Sequence, residues 1–435
     1  MPVEAVFFNV GQGDCTLLIF YADGKDTQGV ASVLIDCGSI KRQGHKGGGP
    51  LATAGSMSER VIEKIDGYLK NLKTPNTIDY LILSHPDRDH YRYVQDLVAP
   101  VDTATKKRRL RYTIRNIRYT GKPGDYTKDI LGHGKGLNLM LKNWTTYGRD
   151  GSSHTIATEP VEQDMPATPL LLPLDGLPDG PTTPKLYVIS ASVSKTRTTA
   201  SVAAKKRRTT GSTLARLEAL PHGFWPLGGS KRKADAPTAE SQANTDCIVL
   251  MLQGAPDKDG KRQKVILTAD AGEETEDYLV ARYKDDPDLK REAGSWLKVG
   301  HHGSANSSTA PWVRLIDPDG LLVSSGTREF GGTGIPRFGH LQQIADDRHK
   351  PAPTVTPNPA DGELPRVAYY GQSGDVIKGT GPYHYRDQVG VAGVCTTLNN
   401  VKDAATGKKP DPRGWDWHLT IDPDGTPGTY RLTYK

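Results

Sequence analysis

A seven-residue segment that ends at His90, with the sequence Ser-His-Pro-Asp-Arg-Asp-His, constrains the fold of this chain more than any other stretch. It directly follows the continuously apolar run Tyr80–Leu83, which is typical of a strand buried on both faces. A tight loop at a strand end can keep four ligand-type side chains close together. The pattern suits two metal ions, with His85 and Asp87 on one and Asp89 and His90 on the other. An ordinary acidic turn with surface histidines is the competing interpretation.

The remaining sequence alternates predicted strands and helices, which is typical of an α/β fold. Helices are predicted over Ser58–Leu72, with Ser58 as the cap, and over Glu273–Tyr283. The predicted strands are Ala5–Val10, Cys15–Tyr21, Ala31–Ile35, Tyr80–Leu83, Tyr112–Tyr119, Lys185–Ser190, Cys247–Leu252, Lys264–Leu267, Ser295–Val299, Gly320–Ser324, His418–Ile421 and Thr429–Thr433.

We expect a single domain over residues 1–435. Hydrophobic residues make up only 36% of the chain, which is compatible with long polar insertions outside one core. Residues 193–243 read as a basic, low-complexity insertion, and residues 341–435 as a C-terminal extension that completes the second sheet.

Five further short blocks accompany the histidine-aspartate segment in a fixed order along the chain. They are Asn9-Val10-Gly11-Gln12-Gly13-Asp14, Leu34-Ile35-Asp36-Cys37-Gly38, Leu267-Thr268-Ala269-Asp270, Leu297-Lys298-Val299-Gly300-His301-His302-Gly303-Ser304 and Phe338-Gly339-His340. Together the six blocks resemble the metallo-β-lactamase superfamily, and most closely the soluble hydrolase domain of ComEC competence-type DNA-uptake proteins. Asp87 stands where the superfamily usually has a second histidine, as is typical of that branch. The chain departs from it at Tyr91-Arg92-Tyr93, where Ile-Gly-Gly is common, and it has no channel segments, so only the hydrolase module carries over.

The resemblance implies a metallo-β-lactamase αββα sandwich with long loop insertions, and a set of site residues. Either His301 or His302 is expected to bind the second ion, with His301 preferred and the other donating to a substrate phosphate. The implied metal ligands are His85, Asp87, Asp89, His90, Asp270 and His301. The candidate catalytic residues are Asp89, His302, Ser304 and His340, the last equally readable as a surface histidine.

Several residues of these blocks have a second interpretation. Asp14 and Asp36 could orient ligands, although turn capping is slightly favoured for Asp36. Asp270 could cap the following helix, although the order of blocks favours a bridging ligand. Gly11 and Gly13 are expected to permit positive φ and close backbone approach near the site, and a plain hairpin turn is an equally good interpretation. Lys298 is expected to be a solvated strand residue rather than a phosphate clamp.

Two divalent ions that activate a hydroxide for attack on DNA phosphodiester bonds are the implied mechanism. Zinc is the first choice because several ligands are histidines, and the harder Asp87 makes Mn²⁺ or Mg²⁺ plausible. Hydrolysis of a small ester such as a lactone, a phosphocholine ester or a cyclic nucleotide is the alternative, favoured by a pocket roofed by Tyr91, Tyr93 and Trp312. A catalytically inactive binding module is the third reading.

The formal net charge is +6, and basic residues are concentrated in the insertion. Residues 195–233 contain ten Lys and Arg residues and one acidic residue, Glu218. Such segments attract nucleic acid in a salt-dependent manner, although a solvated loop without a ligand is as good an interpretation. The loop is also a candidate cleavage site for an activating protease. The expected nucleic-acid contacts are Lys205, Lys206, Arg207, Arg208, Lys231, Arg232 and Lys233.

No run of the sequence approaches 18 apolar residues, so we expect no membrane-spanning helix. The N-terminal sequence does not read as a signal peptide. The four cysteines, Cys15, Cys37, Cys247 and Cys395, follow no paired spacing and are expected to be reduced thiols. A cytoplasmic location is the resulting expectation.

Overall fold

The computed structural model describes residues 1–10, 13–39, 57–100, 110–127, 169–193, 243–286, 294–324 and 416–425, together with shorter pieces between and after them. Several sequence-based expectations fall outside the described residues. These are the insertion's basic residues Lys205, Lys206, Arg207, Arg208, Lys231, Arg232 and Lys233, the Gly11-Gln12 and Phe338-Gly339 pairs, Cys395 as a side chain, and the Ser58 side chain as a cap.

The strands are numbered in chain order. They are β1 (Val3–Phe7), β2 (Thr16–Phe20), β3 (Ala31–Ile35), β4 (Thr77–Leu83), β5 (Thr113–Tyr119), β6 (Thr145–Tyr147), β7 (Ser153–Thr155), β8 (Ala157–Pro160), β9 (Leu170–Leu172), β10 (Lys185–Ser190), β11 (Val249–Pro256), β12 (Arg262–Leu267), β13 (Gly294–Lys298), β14 (Gly320–Val323), β15 (Arg328–Phe330), β16 (Thr333–Ile335), β17 (Tyr370–Gly371), β18 (Asp387–Gln388), β19 (Val394–Thr396), β20 (Trp417–Ile421) and β21 (Tyr430–Tyr434).

Five α-helices are described over their full length. They are α1 (Met57–Lys70), α2 (Arg88–Tyr91), α3 (Val94–Val98), α4 (Glu273–Tyr283) and α5 (Ala310–Ile316), and short 3₁₀ turns occupy Pro123–Thr127, Gly300–Gly303 and Pro423–Gly425. No helix of the described part of the chain is both long and apolar enough to cross a membrane.

The protein is a mixed α/β structure with two mixed β-sheets. One sheet has eight strands in the order β21-β20-β1-β2-β3-β4-β5-β8, and the other has seven in the order β19-β14-β13-β12-β11-β10-β9. The first sheet is antiparallel from β21 to β3 and parallel from β3 to β8. The second is parallel from β12 to β19 and antiparallel from β12 to β9. The α/β class that the strand-helix alternation predicts is therefore confirmed.

Alternation along the buried strands divides the core into three apolar clusters. In β2, Leu18 and Phe20 pack in one cluster with Leu250 and Trp296 of the other sheet. Leu17 of the same strand lies in a second cluster, which contains the apolar face of α1 and residues of α3. A third cluster joins the second sheet to α4 and α5. Each sheet thus buries one face against the other sheet and one against helices, which is why its strands are apolar on both sides.

Most predicted elements are present within a few residues. Ala31–Ile35, Lys185–Ser190 and Glu273–Tyr283 are confirmed at both ends. The predicted ligand loop contains a helical turn, α2, which the sequence did not predict because a single turn has no helical periodicity to detect.

The C-terminal extension requires a correction. The sequence predicts that residues 341–435 complete the second sheet, and β19 does pair with β14 there. The hairpin of β20 and β21 instead extends the first sheet, since β20 pairs antiparallel with β1 from Val3↔Ile421 to Phe7↔Trp417. The extension therefore contributes strands to both sheets. In the first sheet, β20 covers the edge of β1 that β2 does not pair with.

Candidate metal centre

The predicted ligands lie where the carboxyl ends of strands from both sheets meet. His85 follows β4, Asp270 follows β12, and His301 and His302 follow β13. Backbone hydrogen bonds join the sheets at this point, for example from Ile248 N to Ser84 O at 2.9 Å. The buried strands therefore fix the Cα positions from which the side chains extend.

Asp270 is the centre of the cluster, and two histidine nitrogens face each of its oxygens. Its Oδ1 is 3.1 Å from His90 Nε2 and 3.5 Å from His302 Nε2. Its Oδ2 is 3.7 Å from His85 Nε2 and 3.8 Å from His301 Nε2. Asp270 thus belongs to a cluster of imidazoles and carboxylates that could hold a metal ion.

The two aspartates of the segment lie one on each side of Asp270. Asp89 Oδ2 is 3.4 Å from His302 Nε2, and Asp87 Oδ2 is 3.6 Å from His85 Nε2. We name the two sets after the Asp270 oxygen that they face. The Oδ1 group is His90, His302 and Asp89, and the Oδ2 group is His85, His301 and Asp87.

Hydrogen bonds at Nδ1 hold all four rings. The rings of His85 and His90 have Nδ1 at 3.0 Å from Ser84 Oγ and at 2.8 Å from Asp36 Oδ2, respectively. Those of His301 and His302 have Nδ1 at 3.2 Å from Asn306 Oδ1 and at 2.7 Å from Ser324 O. Asp36 and the backbone carbonyl of Ser324 accept only, so the Nδ1 atoms of His90 and His302 are donors. The Nε2 lone pairs are then free to bind a cation.

The atoms at the centre lack the partners that buried polar atoms normally have. Nε2 of His85, His90 and His302 and Oδ1 of Asp270 are buried, and none makes a hydrogen bond with the described residues. A buried polar atom without a partner raises the free energy of the folded state unless an ion, a ligand or a water molecule pairs with it. Ligand atoms of His85, His90 and Asp270 lie within 4.8 Å of one another, as do those of Asp89, His90 and His302. These residues therefore fit a metal ion.

A scan against models of known protein families and a search of curated proteins each found no match to this chain. The site must therefore be interpreted from its own geometry and charges.

Electrostatics also favour a bound cation. Burial alone would raise the pKa of Asp270, but His302, His90 and His301 hold it well below the usual range. Burial likewise opposes the charged form of His302, yet Asp270 and Asp89 raise its pKa to about 9. The carboxylates thus draw positive charge into the centre, and protons and metal ions compete for the same nitrogen atoms.

Asp36 orients His90, although the sequence slightly favoured turn capping for it. Asp36 Oδ2 accepts from His90 Nδ1 and, at 2.6 Å, from Ser84 Oγ. Its Oδ1 accepts the backbone N–H of Ser84 at 2.8 Å, across 48 residues of sequence. Both carboxylate oxygens are therefore used to place a ligand and the chain that carries it.

One further expectation for this region is wrong. Lys298 is not a solvated residue, since it is buried and its Nζ lies 2.5 Å from Asp14 Oδ2. The less favoured interpretation of Asp270, a cap of α4, does not apply because the N-cap is Gly272. The residue types of a sequence do not reveal an ion pair between a lysine and an aspartate from distant blocks, and the sequence analysis missed it for that reason.

The His301-His302 pair lies in an unusual left-handed turn. His301, His302 and Gly303 all have positive φ, at 45°, 53° and 83°. Left-handed backbone costs a residue with a side chain roughly 1–2 kcal/mol, so contacts must hold it in place. His301 N bonds to Ala269 O at 3.0 Å, and Ser304 N bonds to His301 O at 2.9 Å. The turn allows both imidazoles to face Asp270, one on each oxygen.

Both histidines therefore qualify as ligands. The preference for His301 alone followed from assigning a single ligand to the pair, whereas His302 lies in the Oδ1 group with Asp89 and His90.

Gly13 and Gly38 permit a close approach of three chain segments. A Cβ on Gly13 would lie 2.2 Å from Gly38 O and 2.6 Å from Asp89 O. Gly13 is not among the residues with positive φ. Of the two expected reasons for this glycine, close backbone approach is the one that applies.

The remaining candidates lie around the turn rather than against Asp270. Ser304 is half-buried and closes the turn through its N–H. His340 Nε2 is 2.7 Å from the backbone carbonyl oxygen of Ser307, and the hydroxyl of Ser307 donates to the carbonyl oxygen of Gly300. A pocket roofed by Tyr91, Tyr93 and Trp312 would favour a small ester as substrate, but these three side chains pack in the core and are at most 4% exposed.

Proposed function

We propose that this protein is a metal-dependent hydrolase of the metallo-β-lactamase fold that cleaves phosphodiester bonds in nucleic acid. The observation that supports this most is the convergence of four histidine Nε2 atoms on the two oxygens of Asp270. Two sheets that share a core, with helices against their other faces, support the αββα arrangement.

In this proposal, the Oδ1 group and the Oδ2 group, together with Asp270, would hold two divalent ions. When bound, such ions supply a water of lowered pKa and positive charge against phosphoryl oxygens. The protein's part is to fix the ligands before binding, through the four Nδ1 hydrogen bonds. Zinc remains the first choice because four imidazoles are present, and Mn²⁺ or Mg²⁺ stays plausible because three carboxylates accompany them.

The side chains of Asp87 and His301 indicate how a substrate reaches the centre. They are 21% and 24% exposed, whereas the other four ligand candidates around Asp270 are at most 14% exposed. A substrate phosphate is therefore expected to approach from the Oδ2 group. Ser304, half-buried beside His301, remains a candidate donor to it.

Nucleic acid is proposed as the substrate because of the resemblance to ComEC hydrolase domains and the basic runs of the insertion. Contacts between such runs and phosphates weaken with salt in proportion to their number. The proposal also includes a cytoplasmic location. It further includes cleavage of the insertion by an activating protease.

The test incubates zinc-loaded and manganese-loaded protein with plasmid, linear DNA and RNA, and in parallel with a lactone and a phosphocholine ester. Asp89→Asn removes a ligand charge, and Asp277→Asn makes the same chemical change on the exposed face of α4. We expect cleavage of DNA by wild type and Asp277→Asn but not by Asp89→Asn. Turnover of only the small esters would assign the alternative substrate class, and metal binding without any turnover would favour a binding module.

A further inference from the structure

Lys298 and Asp14 form a buried ion pair beside the Oδ1 group. Lys298 Nζ lies 2.5 Å from Asp14 Oδ2, and their side chains are 4% and 3% exposed. Lys298 is the last residue of β13, and Asp14 precedes β2 in the other sheet. The pair therefore joins the two sheets next to the proposed metal centre.

Asp14 is close enough to the centre to be a ligand itself. One ligand atom each from Asp14, Asp270 and His302 lies within 4.8 Å of the other two, and the same holds for Asp14, Asp36 and His90. Asp14 Oδ1 is buried and has no hydrogen-bond partner among the described residues. Distance alone thus places Asp14 in the potential ligand set.

The ammonium of Lys298 changes what Asp14 can do. It neutralises the carboxylate, occupies Oδ2, and places positive charge where Asp14 would otherwise attract a cation. Asp14 is therefore a carboxylate that is already paired with a buried ammonium.

We propose, on the basis of the metal centre proposed above, that Lys298 determines metal preference by holding Asp14 in an ion pair, so that this carboxylate does not bind the metal beside which it lies. Without that pairing, Asp14 would add a carboxylate to His90, His302, Asp89 and Asp270. More oxygen ligands favour harder ions such as Mn²⁺ over Zn²⁺. Lys298 then acts through Asp14 and touches neither metal nor substrate.

The test measures the dissociation constants of Zn²⁺ and Mn²⁺ for the metal-stripped full chain, by competition with a chelating dye. Lys298→Met frees Asp14, Lys298→Arg keeps the positive charge, and the double variant Asp14→Asn/Lys298→Met removes both charges. We expect Lys298→Met to shift the Zn²⁺ to Mn²⁺ affinity ratio toward Mn²⁺ by about tenfold or more, the range over which groups around ligands tune affinity. Lys298→Arg and the double variant should keep the wild-type ratio.

An unchanged ratio in folded Lys298→Met, as judged by circular dichroism, would overturn the inference and leave the pair a structural one. If Lys298→Met does not fold, the double variant decides, since it leaves no unpaired buried charge. A loss of Mn²⁺ affinity there would mean that Asp14 already binds metal in the wild type, contrary to the inference. If the wild-type protein binds neither ion, the proposed metal centre itself is wrong. That result differs from an unchanged affinity ratio in a protein that binds both ions, so the failure of the metal centre can be told apart from the failure of the proposed role of Lys298.

Discussion

The Oδ1 and Oδ2 groups contain the same residue types, two histidines and one aspartate each, but differ in their surroundings. In the Oδ1 group, His90 and His302 are 0% and 2% exposed, and their Nδ1 atoms donate to a buried carboxylate and a backbone carbonyl. In the Oδ2 group, His301 is 24% exposed and its Nδ1 contacts the exposed Asn306 at the longer distance of 3.2 Å. The Oδ1 group is therefore more buried, whereas the Oδ2 group is partly exposed at Asp87 and His301, although its third member, His85, is buried.

In the proposed centre, this difference would separate tight metal binding on one side from access for substrate on the other. Buried, oriented ligands lose little freedom on binding, so the Oδ1 group should hold its ion more tightly. Exposed ligands leave room for water and substrate, which a reactive ion requires. Substitutions in the Oδ1 group and in the Oδ2 group should therefore affect different ions, and a substitution at Asp270 should affect both.

The largest effect is expected for Asp270→Asn, because Asp270 faces both groups. Loss of the charge shared by two ions should remove several kcal/mol of transition-state stabilisation, which corresponds to roughly a thousandfold or greater fall in turnover. Metal analysis after gel filtration should show both ions lost together. Loss of only one ion from this variant would contradict the bridging position.

Asp36→Asn should act on the Oδ1 group alone. Asn has an acceptor oxygen and a donor NH₂ group at the positions where Asp36 has two acceptor oxygens. The backbone N–H of Ser84 needs the acceptor, so the amide NH₂ would face His90 Nδ1. His90 would then carry its proton on Nε2, the atom that binds metal. We expect affinity for the tighter ion to fall about 10- to 100-fold, with the weaker ion little changed.

Asp79→Asn is the matched control for this substitution. Asp79 is also a buried carboxylate of the first sheet, and it accepts the backbone N–H of Ser32 at 2.8 Å and pairs with Arg115. Its replacement should lower thermal stability without changing metal affinity. Calorimetric titration of both variants checks this, and equal losses of affinity would show that Asp36 acts only through stability.

Much of the fold and of the ligand set could be predicted from the sequence. The apolar strand before His85 and the periodicity of α4 are local signals, and Asp270 and the histidine pair each follow an apolar strand. Residue type and position next to a strand end nominate the segment around His85, whereas the expected roles of Asp270 and His301 came from the resemblance carried by the six ordered blocks.

The surroundings of the ligands could not be predicted in the same way. Asp36 and Ser84 meet across 48 residues, and Lys298 and Asp14 across 284. These contacts depend on how the two sheets pack, which no local pattern encodes. The left-handed turn at His301 and His302 was also hidden, since neither residue favours positive φ and only Gly303 hints at it. The division into a buried and an open group follows from these unpredicted features.

The smallest effect is expected for Asn306→Ala, which removes the tether of His301. The Asn306 side chain is exposed, so solvent can replace the lost contact with His301 Nδ1 in part. Affinity for the weaker ion should fall by about tenfold or less, the lower end of what such contacts contribute. The tighter ion should be unaffected, since its ligands lie on the other oxygen of Asp270.

Asn306→Asp is the informative partner variant, because it keeps an acceptor for His301 Nδ1 and should restore wild-type affinity for the weaker ion. The backbone carbonyl of Asn306, which accepts from Glu273 N at 3.0 Å, is the same in both variants, so the start of α4 is retained. A stepwise chelator titration resolves the two ions by the order of their release. If Asn306→Ala instead loosened the tighter ion, the two groups would not be separable, and the asymmetry in burial would have no functional consequence.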